Sequence, residues 1–162
     1  QRLGPHVARV SQRLIGAPVE ITLHRGWAVD RSLAESLDAA WLRDRARGLT
    51  HSGPHRADLV VRFEGAAARD RVSRGQQKLA AAALLLGQLR CDAEQGSEVA
   101  LLLVDDPAAE LDESHLERLL AEVSDVSAQL VVTALDPRNR ALASLPAGHR
   151  FHVEHGSVTR LL

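Results

Sequence analysis

Two adjacent carboxylates, Asp105 and Asp106, directly follow a run of apolar strand formers, Leu101 to Val104. A continuous apolar run is typical of a strand buried on both faces of a parallel sheet, and it predicts a strand over 99–104. Ligands bind at the carboxyl ends of such strands, where neighbouring side chains diverge and can serve two roles. One carboxylate can hold Mg²⁺, directly or through water, while the other faces a nucleophile. The competing interpretation is a strand that ends in a solvated acidic turn.

A second candidate site lies where a long apolar helix is predicted to begin, near residue 76. Ser73 and Gln76 have the spacing of a capping box, in which the serine oxygen and the glutamine side chain satisfy backbone N–H groups reciprocally. With Arg74 and Gly75 they form the positive end of a helix dipole, which favours an anion. Capping alone also explains these residues, so the pattern by itself leaves both interpretations open.

Two further polar residues follow the carboxylates in the chain. Asp112 immediately precedes a helix predicted over 113–123 and is suited to cap it. Thr133 lies in a second apolar strand predicted over 130–134. A simple helix cap and a β-branched strand residue are the competing interpretations of Asp112 and Thr133.

Composition and charge bound the class of protein. The 162 residues suffice for one domain with a single core, and their net charge of −1 argues against a strongly basic nucleic-acid binder while allowing local basic patches. No apolar run approaches the roughly 20 residues of a membrane-spanning helix. The single cysteine, Cys91, excludes an internal disulfide and favours a reducing, cytoplasmic compartment.

The only lysine, Lys78, is preceded by glutamine and followed by leucine, so the chain has no P-loop of the type Gly-x-x-x-x-Gly-Lys-Ser/Thr. Methionine is absent throughout, and we expect an N-terminal portion to be missing.

The elements that position these residues alternate between helices and strands, which predicts an α/β layered fold. A helix ends near Ile15, and a second helix, capped by Asp30 and stopped by Gly48, carries a one-sided core stripe. The stripe consists of Leu33, Leu37 and Trp41. The other predicted elements are strands at 19–24 and 59–63, a helix over 76–89 and a closing hairpin over 151–162.

The polar loop between 50 and 58 contains His51 and His55, a spacing that raises the possibility of a metal pair. No cysteine or further histidine lies nearby at ligand spacing, which argues against metal. His55 and Arg56 could instead contact phosphate or DNA, and a structural turn is an equally good interpretation.

The string Val-Asp-Asp-Pro-Ala-Ala-Glu-Leu-Asp over 104–112 resembles the Walker B and D-loop segment of ABC-type ATPases, in the form that the RecF family carries. Ser73, Gly75 and Gln76 resemble the signature motif of those ATPases, with Arg74 at a position that RecF-like proteins also fill with a basic residue. The stretch Leu-Thr-His-Ser-Gly-Pro-His-Arg-Ala-Asp-Leu over 49–59 is similar to the segment that leads RecF-like chains back into the ATPase head.

This resemblance implies the C-terminal lobe of an ABC-type ATPase head over 50–162, preceded by the end of a helical arm over 1–49. It implies that Asp105 positions Mg²⁺ and that Asp106 polarises the attacking water. The nucleotide-binding residues that it implies, contributed in part to ATP held by an opposing subunit, are Ser73, Arg74, Gly75, Gln76, Asp112 and Thr133. Candidate phosphate or DNA contacts are His55 and the arginines Arg43, Arg45, Arg47, Arg56 and Arg69.

The implied function is ATP-dependent gap repair in DNA replication and the SOS response. The implied partners are DNA with single-strand gaps or junctions, RecR, RecO and RecA, and either a second copy or the missing N-terminal lobe. Without a P-loop, the isolated chain is expected to bind ATP weakly and to hydrolyse none.

Two alternatives stay open. One is a non-catalytic module that docks on a partner ATPase head, RecR or DNA. The other is a Toprim-type phosphotransfer site, which the sequence disfavours because Glu20 begins its strand and the two aspartates are adjacent.

Overall fold

The computed structural model describes residues 2–67, 73–96, 100–109, 111–136 and 138–161. They form two compact units, Gln1–Gln95 and Gly96–Leu162, with separate cores. No helix in the described ranges is long and apolar enough to cross a membrane. Arg69, Val99 and Glu110, which the sequence analysis includes in its candidate segments, lie outside the described residues.

In its described residues, the first unit combines three α-helices with a small antiparallel sheet. Strands β1, β2 and β3 lie in that order, with Val19 of β1 opposite Phe63 of β2. A 3₁₀ turn at Pro54–Arg56 precedes β2. In chain order the elements are α1 (Leu3–Ile15), β1 (Val19–His24), α2 (Leu33–Arg47), β2 (Asp58–Phe63), β3 (Ala66–Ala67) and α3 (Arg74–Glu94).

Helices α1 and α3 pack against each other and build the core of this unit. Val7, Val19, Phe63 and Ala80 are buried together there. The helices approach closely at Gly87, where a Cβ atom would lie 2.8 Å from Val7 Cγ2 and 2.9 Å from Val7 N. Glycine is therefore required at this crossing, although it lowers the intrinsic stability of a helix.

Helix α2 ends at Gly48 as predicted, with that residue in the left-handed region at φ 66°. The prediction that Asp30 caps its start is wrong, because Ser32 is the cap. Ser32 has glutamate at the third helical position, and Ser32 and Glu35 form a complete capping box. The reciprocal pair satisfies two backbone N–H groups, which explains why the helix begins there.

The predicted core stripe of α2 is also wrong. Trp41 is 61% exposed and Leu37 is 37% exposed, whereas the buried residues are Ser36, Ala40 and Asp44. Asp44 accepts hydrogen bonds from the backbone and the ring of His51. The covered face of the helix is therefore the one that carries Asp44 and its hydrogen bonds to the following loop.

The second unit contains one parallel strand pair and a separate hairpin. Strands β4 and β5 are parallel, with Val104 opposite Val132, and α4 makes the crossover between them. Leu116, Leu120 and Ala141 form its core. The elements are β4 (Ala100–Val104), α4 (Glu113–Ser124), β5 (Ala128–Val132), β6 (Arg150–Glu154) and β7 (Ser157–Leu161), with 3₁₀ turns at Pro107–Ala109 and Arg140–Ser144.

Strand β4 is not buried on both faces, contrary to its apolar pattern. Leu101 and Leu103 are 58% and 67% exposed, while Leu102 and Val104 are half-buried. Within the described ranges only one face of the strand is covered, which explains the alternation. The predicted parallel pairing is nevertheless confirmed.

The closing hairpin turns at His155 and Gly156, as predicted, and both residues have positive φ. The family resemblance implies a division of the chain into the end of a helical arm over 1–49 and a head lobe over 50–162. The compact units of this chain do not test that division, and it stays a prediction.

Candidate functional site

The two carboxylates lie where β4 ends, beside the end of β5. The amide of Thr133 donates to the carbonyl of Val104 at 3.0 Å, which extends the parallel pairing by one step. Asp105 is exposed and Asp106 is half-buried. Because β5 runs parallel to β4, Thr133 arrives at the same sheet edge as the aspartates. The structure therefore brings together three of the predicted site residues.

A single hydroxyl group connects these three residues. Thr133 Oγ1 donates to Oδ1 of Asp105 at 2.5 Å and accepts from the amide of Asp106 at 3.0 Å. Asp106 has φ 36°, in the left-handed region that non-glycine residues rarely adopt. Its carbonyl accepts from the amide of Ala109 at 3.1 Å, so hydrogen bonds hold the peptide groups on both sides of this strained residue.

The segment after the carboxylates leads into a capped helix. Asp112 accepts from the amide of His115 at 2.9 Å, from the ring of His115 at 2.6 Å and from the hydroxyl of Ser114 at 2.9 Å. These bonds, led by the one from the His115 backbone, lower the pKa of Asp112 to about 2. The predicted N-cap is confirmed, and its carboxylate is held by α4 itself.

The predicted capping box at the start of α3 is also confirmed. The amide of Gln76 donates to Ser73 Oγ at 3.2 Å, and the amide of Ser73 donates to Gln76 Oε1 at 2.9 Å. Ser73 and Arg74 are exposed, and Gly75 and Gln76 are half-buried. The amides of Arg74 and Gly75 are first-turn donors that an α-helix cannot pair internally, so the tip can accept an anion.

The candidate phosphate contacts of the first unit lie on the last two turns of α2 and on the loop after it. Arg43 contacts Asp44 at 3.3 Å, and Arg47 lies 3.5 Å from the ring of His51. His55 Nε2 lies 3.0 Å from the carbonyl of Thr50, and Arg56 donates to the same oxygen at 3.4 Å.

Sequence reasoning missed the central pair of this region, Asp44 and His51. The ring Nδ1 of His51 lies 2.6 Å from Asp44 Oδ1. Burial raises the pKa of Asp44, but the hydrogen bonds from His51 and Arg43 outweigh it and leave the pKa below its ordinary value. Ser36, Ala40 and Asp44 recur every four residues and share a second face of α2. This spacing is the sequence feature that could have indicated a buried Asp44.

Among the described residues no group of three or more His, Cys, Asp and Glu side chains could hold a metal ion. Mg²⁺ commonly takes one or two carboxylates and completes its shell with phosphate and water, so Asp105 does not need a protein cage. In the described part of the chain, Thr133 engages Oδ1 of Asp105 and leaves Oδ2 available. The donor set therefore fits a magnesium ion shared with a nucleotide.

Comparison with known proteins gives a consistent result. No family model matches the chain. The DNA replication and repair protein RecF of Shewanella sp. (strain W3-18-1) is 40% identical over 152 residues, which is 93% of this chain and 42% of that protein. RecF of Shewanella oneidensis is 41% identical over 143 residues, covering 87% of this chain and 39% of that protein.

The chain is homologous to RecF proteins over most of its own length. It spans about two fifths of the length of the RecF relatives that it matches. Solved structures agree on the fold: "Structure of the recombination mediator protein RecF-ATP in RecFOR pathway" has a TM-score of 0.73 at 22% identity and covers 99% of this chain and 44% of that one. An SMC head bound to the C-winged helix domain of ScpA has a TM-score of 0.60 at 12% identity, covering 99% of this chain and 41% of that one. The expected α/β fold of ATPase-head type is thus confirmed.

Proposed function

We propose that this chain supplies one half of an ATP-driven DNA-repair clamp of RecF type, namely the signature helix and the Walker B carboxylates. The observation that carries the proposal is the cluster of Asp105, Asp106 and Thr133 at the carboxyl edge of a parallel strand pair. That edge is where open α/β sheets bind their ligands. The RecF relatives, named as DNA replication and repair proteins, give the cluster its context.

In this proposal Asp105 holds Mg²⁺, directly or through water, and Asp106 accepts a proton from the water that attacks the γ-phosphate. When bound, Mg²⁺ would neutralise charge that develops on the phosphate oxygens. Asp106 is suited to its role because its backbone is constrained at the position directly after Asp105. Two adjacent carboxylates allow these two roles to be carried by separate residues.

The signature helix acts on the nucleotide of an opposing polypeptide. Ser73 and Gly75, with Gln76 behind them, present first-turn amides and a hydroxyl group to the γ-phosphate, and Arg74 adds positive charge beside it. Asp112 caps the helix after the D-loop and keeps that loop beside the ATP. Two such polypeptides, each completing the ATP site of the other, make the clamp close on ATP.

The DNA-binding surface is proposed to lie around the end of α2, with Arg43, Arg47, His55 and Arg56 as phosphate contacts. Closure on ATP would place DNA with a single-strand gap where RecR, RecO and RecA can act, in the cytoplasm. A solved relative is described as a recombination mediator in the RecFOR pathway, which supports this assignment.

The test supplies the N-terminal lobe of the Shewanella relative as a separate polypeptide and measures ATP hydrolysis. The isolated chain should be inactive, and the mixture should hydrolyse ATP. Asp106→Asn should lower the rate of the mixture about 10²- to 10⁴-fold, as expected when a general base is lost. Asp38→Asn, the same change at an exposed position of α2, should leave the rate unchanged. Turnover by the isolated chain, or a mixture in which Asp106→Asn is fully active, would contradict the proposal.

A second candidate function is a docking module without catalysis. It is favoured by the exposed apolar face of the closing hairpin, where Phe151, Val153 and Val158 are 55%, 68% and 67% exposed. A docking module would bind RecR or a partner head equally well with and without ATP. The clamp requires association that depends on ATP, so sedimentation of the mixture with and without nucleotide separates the two functions.

A further inference from the structure

The hydroxyl of Thr133 has a fixed hydrogen-bonding arrangement. A hydroxyl group carries one proton, and Thr133 uses it toward the carboxylate of Asp105, which can only accept. The same oxygen accepts the amide proton of Asp106. In this arrangement Thr133 has no proton left to donate to a phosphate oxygen, which differs from the direct nucleotide contact that the family resemblance implies for this residue.

The two bonds act on different parts of the carboxylate pair. The first holds the side chain of Asp105, and the second holds the backbone of Asp106 at φ 36°. Thr133 is itself fixed, because its amide bonds to the carbonyl of Val104. The end of β5 therefore holds the carboxylate of Asp105 and the backbone of Asp106 at the end of β4, across 28 and 27 residues of chain.

We propose that Thr133 is a positioning residue that orients Asp105 and Asp106 together through its hydroxyl, rather than a residue that touches the nucleotide. The inference rests on the proposed function for its consequence in catalysis, while its geometric part stands on the hydrogen bonds alone. The role requires a side chain that donates and accepts at once. Serine meets that requirement, and valine, of nearly the same shape as threonine, does not.

Three variants separate this role from others: Thr133→Val, Thr133→Ser and, as a matched control, Thr159→Val on the exposed strand β7. The first measurement is hydrogen exchange of the Asp106 amide in the 162-residue chain. Wild type, Thr133→Ser and Thr159→Val should protect this amide, and Thr133→Val should expose it. Equal exchange in wild type and Thr133→Val overturns the inference whether or not the chain has any activity.

The second measurement is Mn²⁺ binding, detected by the paramagnetic broadening of the Asp105 and Asp106 NMR signals. The third is kcat and KM for ATP in the reconstituted mixture. Thr133→Val should lower Mn²⁺ affinity and kcat about 10- to 100-fold, the usual effect of losing a group that orients a metal ligand. KM for ATP should stay unchanged, and Thr133→Ser should restore both quantities.

A direct contact between Thr133 and the nucleotide gives the opposite pattern: KM rises in Thr133→Val and Mn²⁺ binding is unaffected. That result, or a Thr133→Ser variant as impaired as Thr133→Val, overturns the inference. The wild-type mixture could fail to hydrolyse ATP while the amide exchange of the variants behaves as expected. That result contradicts the proposed ATP-driven clamp, but it still supports Thr133 as the residue that positions Asp105 and Asp106. The two failures are therefore distinguishable.

Discussion

Helices α2 and α3 begin with the same capping box but present different charges to their surroundings. Ser32 and Ser73 have backbone angles within a few degrees of each other, at φ −69° and −63°, and both accept a bond of 3.2 Å from the third helical residue. That residue is Glu35 in α2 and Gln76 in α3. The glutamate places a negative charge on the helix tip, whereas the glutamine leaves the positive end of the dipole uncompensated.

The comparison teaches that a capping box by itself says nothing about a ligand. Bonds to the backbone of Ser32, and then to its hydroxyl, keep the pKa of Glu35 below its ordinary value, so the tip of α2 stays anionic. We therefore expect a phosphate to be repelled there and to be attracted at the tip of α3. The two helices also differ in their support, since α3 buries Leu79, Ala83 and Leu86 and α2 does not bury its leucines.

The largest expected effect comes from exchanging the two charges. Gln76→Glu keeps a capping box, because glutamate serves as well as glutamine at that position, but it sets a carboxylate against the γ-phosphate. A like-charge contact of this kind costs several kcal/mol, so ATP-dependent association of the reconstituted mixture should weaken at least about 100-fold. Sedimentation velocity with and without ATP measures the change.

The reciprocal variant is the control. Glu35→Gln should leave association intact, and both variants should remain folded, with a cooperative unfolding transition in urea. Unimpaired association of Gln76→Glu would mean that the two tips are equivalent and that α3 contacts no phosphate.

The support of α3 gives the next effect. Gly87→Ala places a methyl group 2.8 to 3.0 Å from atoms of Val7, including its backbone, and should lower the free energy of unfolding by about 1–3 kcal/mol. Gly4→Ala makes the same change on α1 where nothing lies within 4 Å, and it should be stabilising by about 0.5–1 kcal/mol. Urea denaturation measures both, and a shared sign would contradict the close helix crossing.

The third capped helix provides the smallest effect. The pKa of Asp112 lies at about 2 in the folded chain against an ordinary value of 3.8. Its contribution to stability is therefore present above about pH 4 and is lost as the pH falls toward about 2. Asp112→Asn still caps a helix but should flatten this part of the pH dependence in urea unfolding, whereas Asp58→Asn, at an exposed position of β2, should preserve its steepness. If the unfolding free energies of wild type and Asp112→Asn depend on pH in the same way, the charge of the Asp112 carboxylate does not contribute to the cap.

Much of the local structure could be predicted because its causes lie within a few residues. The box of Ser73 and Gln76, the cap at Asp112 and the stop at Gly48 depend on groups three to five positions apart. The cap of α2 was misplaced at Asp30 because Ser32, with Glu35 three residues later, competes with it and makes two reciprocal bonds. The family also lay within reach of the sequence, since short motifs in a fixed order carry it.

Side-chain burial and the carboxylate cluster could not be predicted in the same way. Apolar periodicity tells which residues share a face, but not which face is covered, and so Trp41, Leu101 and Leu103 are exposed.

By itself the sequence determined the capped helix tips, the strand that ends in two aspartates and the resemblance to RecF proteins, because each depends on residues close together in the chain. Only the tertiary structure decided that Thr133 bridges Asp105 and Asp106, that His51 holds Asp44 and that α1 crosses α3 at Gly87. The bridge and the crossing join residues far apart in the chain, and the pairing of His51 with Asp44 depends on the path of the loop between them. The pairing of β4 with β5 and the packing of helices select these partners, and residue spacing leaves them undetermined.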